Sequence, residues 1–200
     1  MNRLGAPYVT PWTGEAIAPL PVTVTTVGAA YEDPVADAIA RDQDGVLWAV
    51  CRGMATGKPE YAAELHPERQ KATMEGFLCA CCRKPAARDD RGMLWVLPFL
   101  GEPESWEGVQ SAIPPMCEQC ARTVPRLCPE LREGHVQLRV REAELVGVRG
   151  TLYPRPDRPG VPDPDALVLY DSPGLPFVVA RQVVRELRQV TVVAFSAAIH

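Results

Sequence analysis

The stretch Leu78-Cys79-Ala80-Cys81-Cys82-Arg83, answered downstream by Pro115-Met116-Cys117-Glu118-Gln119-Cys120, decides how the rest of this sequence is read. Both segments hold a C-x-x-C spacing. A gap of two residues lets both sulfurs of a tight turn point at one ion, while backbone N–H groups support the thiolates. The pairs Cys79/Cys82 and Cys117/Cys120 therefore supply the four ligands that a tetrahedral structural Zn2+ requires. The competing reading makes these residues small buried hydrophobes, as free cysteines often are. The repetition of the spacing favours the metal. Cys81 is an alternative ligand to Cys79 or Cys82, although the two-residue gap selects the outer two. Cys51 and Cys128 read as core thiols, Cys128 within an apolar Leu-Cys-Pro setting. An all-sulfur site has no open coordination position, so it points to folding energy rather than metal catalysis.

The bulk numbers agree with this reading. A chain of 200 residues with 46% hydrophobic content can bury one medium core, or two small ones sharing a metal unit. The net charge of -4 is not that of a protein whose task is to coat phosphates. No segment approaches the roughly 18 apolar residues that a membrane span needs, and Met1 to Glu15 lacks a signal-like apolar run. A cytoplasmic chain is expected, where thiols stay reduced. There, 7 cysteines suit metal and core roles better than disulfides.

Working outward from the first pair, His66-Pro67-Glu68 opens a helix running to Phe77. Pro67 suits the first turn and Glu68 complements the helix dipole. Between the pairs, Asp89 to Gly92 is turn-like and Met93 to Pro98 reads as a strand, followed by a loop over Gly101–Pro115. Cys117 to Val124 reads as a short helix stopped by Pro125. Upstream, Pro21 to Val27 and Val46 to Cys51 are strand-like, with a turn at Asp44-Gly45. Downstream, Val136 to Val140, Leu145 to Tyr153 and Ala166 to Tyr170 alternate as strands do. Phe177 to Leu187 carries a helical amphipathic pattern, with Val178, Val179, Val183, Val184 and Leu187 on its apolar side. Val190 to Phe195 is a closing strand.

The order of knuckle, strand-bearing excursion and second pair on the first turn of a helix resembles a treble clef. Leu78 to Pro85, Gly92 to Leu97, Pro114 to Glu130 and the tail Val179 to Val193 are similar to small bacterial proteins with a central CxxC/CxxC core and no assigned activity. The expectation is an α+β chain. A central treble-clef-like zinc module (61–134) is flanked by short antiparallel strands, with an N-terminal β-rich segment (1–60) and C-terminal strands and helix (135–200). All three segments are also compatible with one continuous domain.

Function is less legible. Nuclease chemistry on a treble clef needs histidines on the hairpin, and none lies between Cys82 and Cys117. His66-Pro-Glu68 with Pro115-Met-Cys117-Glu-Gln-Cys120 resembles the zinc deaminase signature, which implies His66, Cys117 and Cys120 as ligands and Glu68 as acid/base. The intervening Met116 and the idle Cys79 and Cys82 count against it. Nucleic-acid binding would use Arg122, Arg126, Arg132, Arg139, Arg141 and Arg149. They are interleaved with Glu118, Glu130, Glu133, Glu142 and Glu144, the pattern of a solvated mixed-charge face. A non-enzymatic binding or regulatory module with a protein partner fits the remaining features best.

Overall fold

Gly134–Leu152 and Val178–Ala197 are strands of 19 and 20 residues, paired antiparallel along their whole length. They form the spine of this computed structural model, which describes residues 6–61, 64–99 and 105–197. In chain order the elements are β1 (Glu15–Ile17), β2 (Val22–Val24), β3 (Ala29–Tyr31), α1 (Pro34–Ala40), β4 (Leu47–Trp48) and β5 (Cys51–Gly53). Then come α2 (Pro67–Glu75), β6 (Arg88–Asp89), β7 (Gly92–Pro98), β8 (Val109–Ser111), α3 (Glu118–Thr123) and α4 (Pro129–Glu133). The chain closes with β9 (Gly134–Leu152), β10 (Asp163–Leu169) and β11 (Val178–Ala197). Short 3-10 turns lie at Val124–Arg126 and Leu175–Phe177.

Seven strands form one sheet. The long β9 has β11 on one side; its other side is shared between β7, opposite His135 to Val140, and β10, opposite Gly147 to Leu152. Glycine matters where these strands crowd. A Cβ on Gly150 would stand 2.2 Å from the Val179 carbonyl oxygen, and one on Gly147 would stand 2.3 Å from that of Val168. β11 pairs with β8 at Val109–Ser111 and in parallel with β4. Register shifts at three places bend the β9–β11 ribbon.

The expected C-terminal helix is not formed. Phe177 ends a 3-10 turn and the residues up to Leu187 belong to β11. Valines at 178, 179, 183 and 184 restrict χ1 and favour the extended chain. Their burial shows no alternation because β11 is covered on both faces, and the apolar positions 178, 179, 183, 184 and 187 have the spacing of a helical stripe in sequence. The flanking strands are accordingly longer than expected: the runs around Val136 and Leu145 are one strand, and β4 pairs parallel rather than antiparallel. Val46 to Cys51 divides instead, β4 joining the large sheet and β5 pairing with β1. Of the expected strand at Pro21 to Val27, Val22–Val24 is formed. The expected helix after His66 is α2, with Pro67 at its first turn. Of the loop at Gly101–Pro115, residues 101–104 lie outside the described residues, as do Met1 to Gly5 of the N-terminal stretch.

Strand β7 separates two cores. Leu94 and Val96 face one that holds Cys79, Cys81, Met116, Cys120 and Val124. Met93, Trp95 and Leu97 face the other, with Val136, Leu138, Val140 and Leu187. The run Met-Leu-Trp-Val-Leu is apolar at every position because both its faces are covered. Helix α2 docks across β11 through Gln70, whose amide donates to the carbonyls of Ala112 (2.7 Å) and Val183 (2.9 Å). The same side chain accepts from the Val183 N–H at 3.0 Å. Among the described residues, no helix is long and apolar enough to cross a membrane.

Candidate metal centre

The first cysteine pair sits in a backbone knuckle. Cys79 N–H donates to the Lys84 carbonyl (2.7 Å) and Arg83 N–H returns to that of Cys79 (3.0 Å). The reversal places Arg83 at φ 61, in the left-handed region, so that Leu78 and Pro85 face each other across the turn. From there the chain forms the β6–β7 hairpin. Its turn is closed by Asp89, which accepts from the Arg91 N–H, and by Gly92 at φ 118. A Cβ on Gly92 would lie 2.3 Å from the Val140 carbonyl, so glycine is needed both for the dihedral and for the space.

The second pair is brought in by three short backbone bonds. Ala80 N–H donates to Pro115, Ala87 N–H to Met116 and Met116 N–H to Leu94, each at 2.9 Å. Cys117 then occupies the N-cap position of α3, and Cys120 lies within the helix, where the dipole favours thiolate charge. From the other side, Tyr8 and Val9 N–H groups donate to the carbonyls of Cys81 and Ala80, each at 3.1 Å.

These bonds bring Cys79, Cys82, Cys117 and Cys120 together: their four sulfurs all lie within 4.8 Å of one another. Cys82 Sγ and Cys117 Sγ are 3.7 Å apart. Four thiolates around one Zn2+ at about 2.3 Å would have sulfur–sulfur edges of roughly 3.8 Å, so the cluster has the dimensions of a closed tetrahedral metal site. Cys79 is fully buried and Cys120 nearly so, while Cys82 and Cys117 are half-buried. Nothing in this donor set leaves a place for a reacting water.

Cys81 is not one of the four. Fully buried, it packs in the same core as Cys79 and Cys120. Hydrogen bonding from Cys81 draws Cys79 down to about 4 and Cys120 down to about 6. Its own proton is held far more tightly than in a free cysteine, because it is shared with Cys120 and Cys79 and the thiol is buried. Burial pushes Cys117 up to about 12 and also raises Cys82. A divalent cation among the four sulfurs would favour the anionic form of each. Cys128 packs against the edge of the same core and Cys51 is half-buried on β5.

The deaminase constellation is not assembled. Among the described residues, the ligand-type groups that converge are the four cysteines, without His66. The buried His66 ring instead faces Glu15, with Nε2 3.7 Å from the carboxylate, which also receives Arg69 at 2.5 Å. Burial, followed by the Arg69 charge, lowers the His66 pKa.

Arg139 is a part of the site that residue type and spacing do not single out. It extends from β9 beneath the hairpin, 3.3 Å from the Gly92 carbonyl and 3.3 Å from Asp89, and bonds Glu118 on α3. In sequence it was one arginine among several in a mixed-charge stretch. It occupies a polar position of an alternating run, where an exposed arginine is equally expected, so no local signal distinguishes it. Trp48 and Trp95 are core residues whose indole N–H groups are satisfied by Asp42 and the Ile113 carbonyl.

No protein-family model matches this chain, and neither a curated protein nor a solved structure matches it.

Proposed function

We propose that Cys79, Cys82, Cys117 and Cys120 hold one structural Zn2+ in a treble-clef-like arrangement, and that the chain is a non-enzymatic binding or regulatory module for a protein partner. The convergence of four sulfurs from two distant segments, all within 4.8 Å, carries this reading. A site closed by four sulfurs supplies folding energy and leaves no coordination position for substrate. The knuckle, hairpin and helix then act as a rigid support for surfaces around them. Cys81 serves as a neutral donor to the ligand sulfurs, the kind of outer contact that orients ligands and tunes their charge.

Elemental analysis of purified protein tests the metal. One zinc per chain is expected, in a colourless protein, since iron bound by the same sulfurs would absorb visible light. Cys79→Ser and Cys82→Ser should release the metal and loosen the core, whereas His66→Ala should leave zinc content unchanged. Metal loss on His66→Ala, with zinc retained by Cys79→Ser, would overturn the assignment in favour of an open catalytic site.

A further inference from the structure

The structure sorts the mixed-charge stretch after the second cysteine pair into separate places. Arg139 pairs with Glu118 and Asp89, and Arg149 lies 3.4 Å from Asp165. Glu142 bonds Gln189, and Glu144 lies 3.8 Å from Arg188. Glu130 lines a different cleft, on the far side of Leu131. Arg141 and Glu133 stand outside these contacts, and the other arginines are concentrated in one place. Arg122, Arg126, Arg132 and His135 line one open cleft of about 370 Å3, together with Gln137 and Ser196. Among the described residues no carboxylate lines it, and none of the three arginines takes part in an ion pair.

The cleft is framed by several elements. Arg122 comes from α3, Arg126 from the following 3-10 turn and Arg132 from α4, three short elements closed by Pro125 and Pro129. Opposite them stand the ends of β9 and β11, where His135 pairs with Ser196. His135 Nδ1 is 3.0 Å from the Leu131 carbonyl, which can only accept, so the ring is fixed as an Nδ1–H donor with Nε2 left for the cleft. Three guanidinium groups beside further hydrogen-bonding groups form a receptor for oxyanions, since each fork matches a carboxylate or phosphate.

We infer that this cleft receives a short acidic segment of a partner protein. The inference rests on the proposed binding role and names the chemistry of the partner. Charge complementarity carries it: a local basic cleft lies on a chain whose net charge is -4. A long polyanion such as nucleic acid would extend past the cleft over a chain of net negative charge, whereas a segment with a few carboxylates, or one phosphorylated side chain, is short enough to meet the arginines alone. Apart from the His135 imidazole, no aromatic side chain on which bases would stack lines the cleft among the described residues.

The test uses the full chain and a labelled peptide with three central glutamates, its glutamine counterpart, and a version with a central phosphoserine. The glutamate and phosphoserine peptides should bind, the glutamine peptide should not, and binding should weaken as salt rises above about 0.1 M. The triple variant Arg122→Gln, Arg126→Gln, Arg132→Gln should bind roughly tenfold or more weakly, while Arg141→Gln, outside the cleft, should bind as the parent does. The inference is overturned if the acidic peptides fail to bind at low salt, or if the triple variant binds them as well as the parent. It is equally overturned if inorganic phosphate or an oligonucleotide engages the arginines while the peptides do not. Zinc measured in the same samples separates the two claims: arginine-dependent binding by a metal-free protein sinks the zinc reading alone, and intact zinc without peptide binding sinks this one alone.

Discussion

Arg139, only 6% exposed on β9, bonds the carboxylate of Glu118, the residue directly after Cys117 at the start of α3. The large sheet is thereby tied to the helix that presents the second cysteine pair. The two partners are unequal, since Glu118 is 51% exposed. Replacing Arg139 by Met should cost about 2–4 kcal/mol, because the Gly92 and Ala87 carbonyls lose a buried charged donor. Glu118→Gln should cost less than about 1 kcal/mol, as exposed pairs do. Urea unfolding of both variants checks the asymmetry; equal losses would mean that the ion pair, and not the buried arginine, supports the helix.

Gln70 is fully buried and joins α2 to both the donor and the acceptor of Val183. Gln70→Leu keeps the volume but leaves one N–H and two carbonyls without that partner. A loss of roughly 2–5 kcal/mol is expected. Faster amide exchange at Val183, beyond the global change in stability, would identify the lost bond as the cause.

Asp42 draws together a turn, a strand and a helix. Its carboxylate accepts from the N–H groups of Asp44 and Val46, from the Trp48 indole and from Lys71. Burial alone would raise its pKa, but the Lys71 and Trp48 hydrogen bonds and the Lys71 charge outweigh burial and hold it below the ordinary 3.8. A depressed folded-state value means that the unfolded chain binds more protons at low pH. The contribution is therefore complete above the ordinary value and is lost as pH falls through the folded one. Asp42→Asn should be less stable than the parent at neutral pH and should approach it in acid. A stability difference independent of pH would show that the carboxylate charge has no part in it.

Cys81 and Cys79 are both fully buried, yet the structure gives them different roles. Cys81→Ala should retain one metal per chain with modestly weakened affinity, roughly the 10–100-fold typical of lost outer contacts. Cys79→Ser should not retain it. Competition against a chromogenic chelator reads both affinities; equal losses would make Cys81 a ligand. Chelation of the parent should also lower its thermal midpoint, because metal binding and folding share one free energy.

The metal site was legible because its information is local. A C-x-x-C turn and a helix start are short-range constraints, and the residues that make them are adjacent in the chain. The turn at Asp89 to Gly92 and the strand after it could be read for the same reason, from turn chemistry followed by an apolar run. The end of the chain could not. Phe177 to Leu187 has the same apolar spacing whether it forms a stripe on a helix or the doubly covered middle of a sheet, and only the presence of β9 beside it decides.

Residue types and spacing alone thus determined that two cysteine pairs are competent to share an ion, and that the chain mixes helices with strands. Tertiary structure decided the rest: which sulfurs meet, that His66 turns toward Glu15, and which arginines are neutralised and which gather in one cleft. The physical reason is range. Turn and cap preferences act over a few residues, whereas charge pairing and burial depend on neighbours far apart in the chain, and no local pattern encodes which of those will be adjacent.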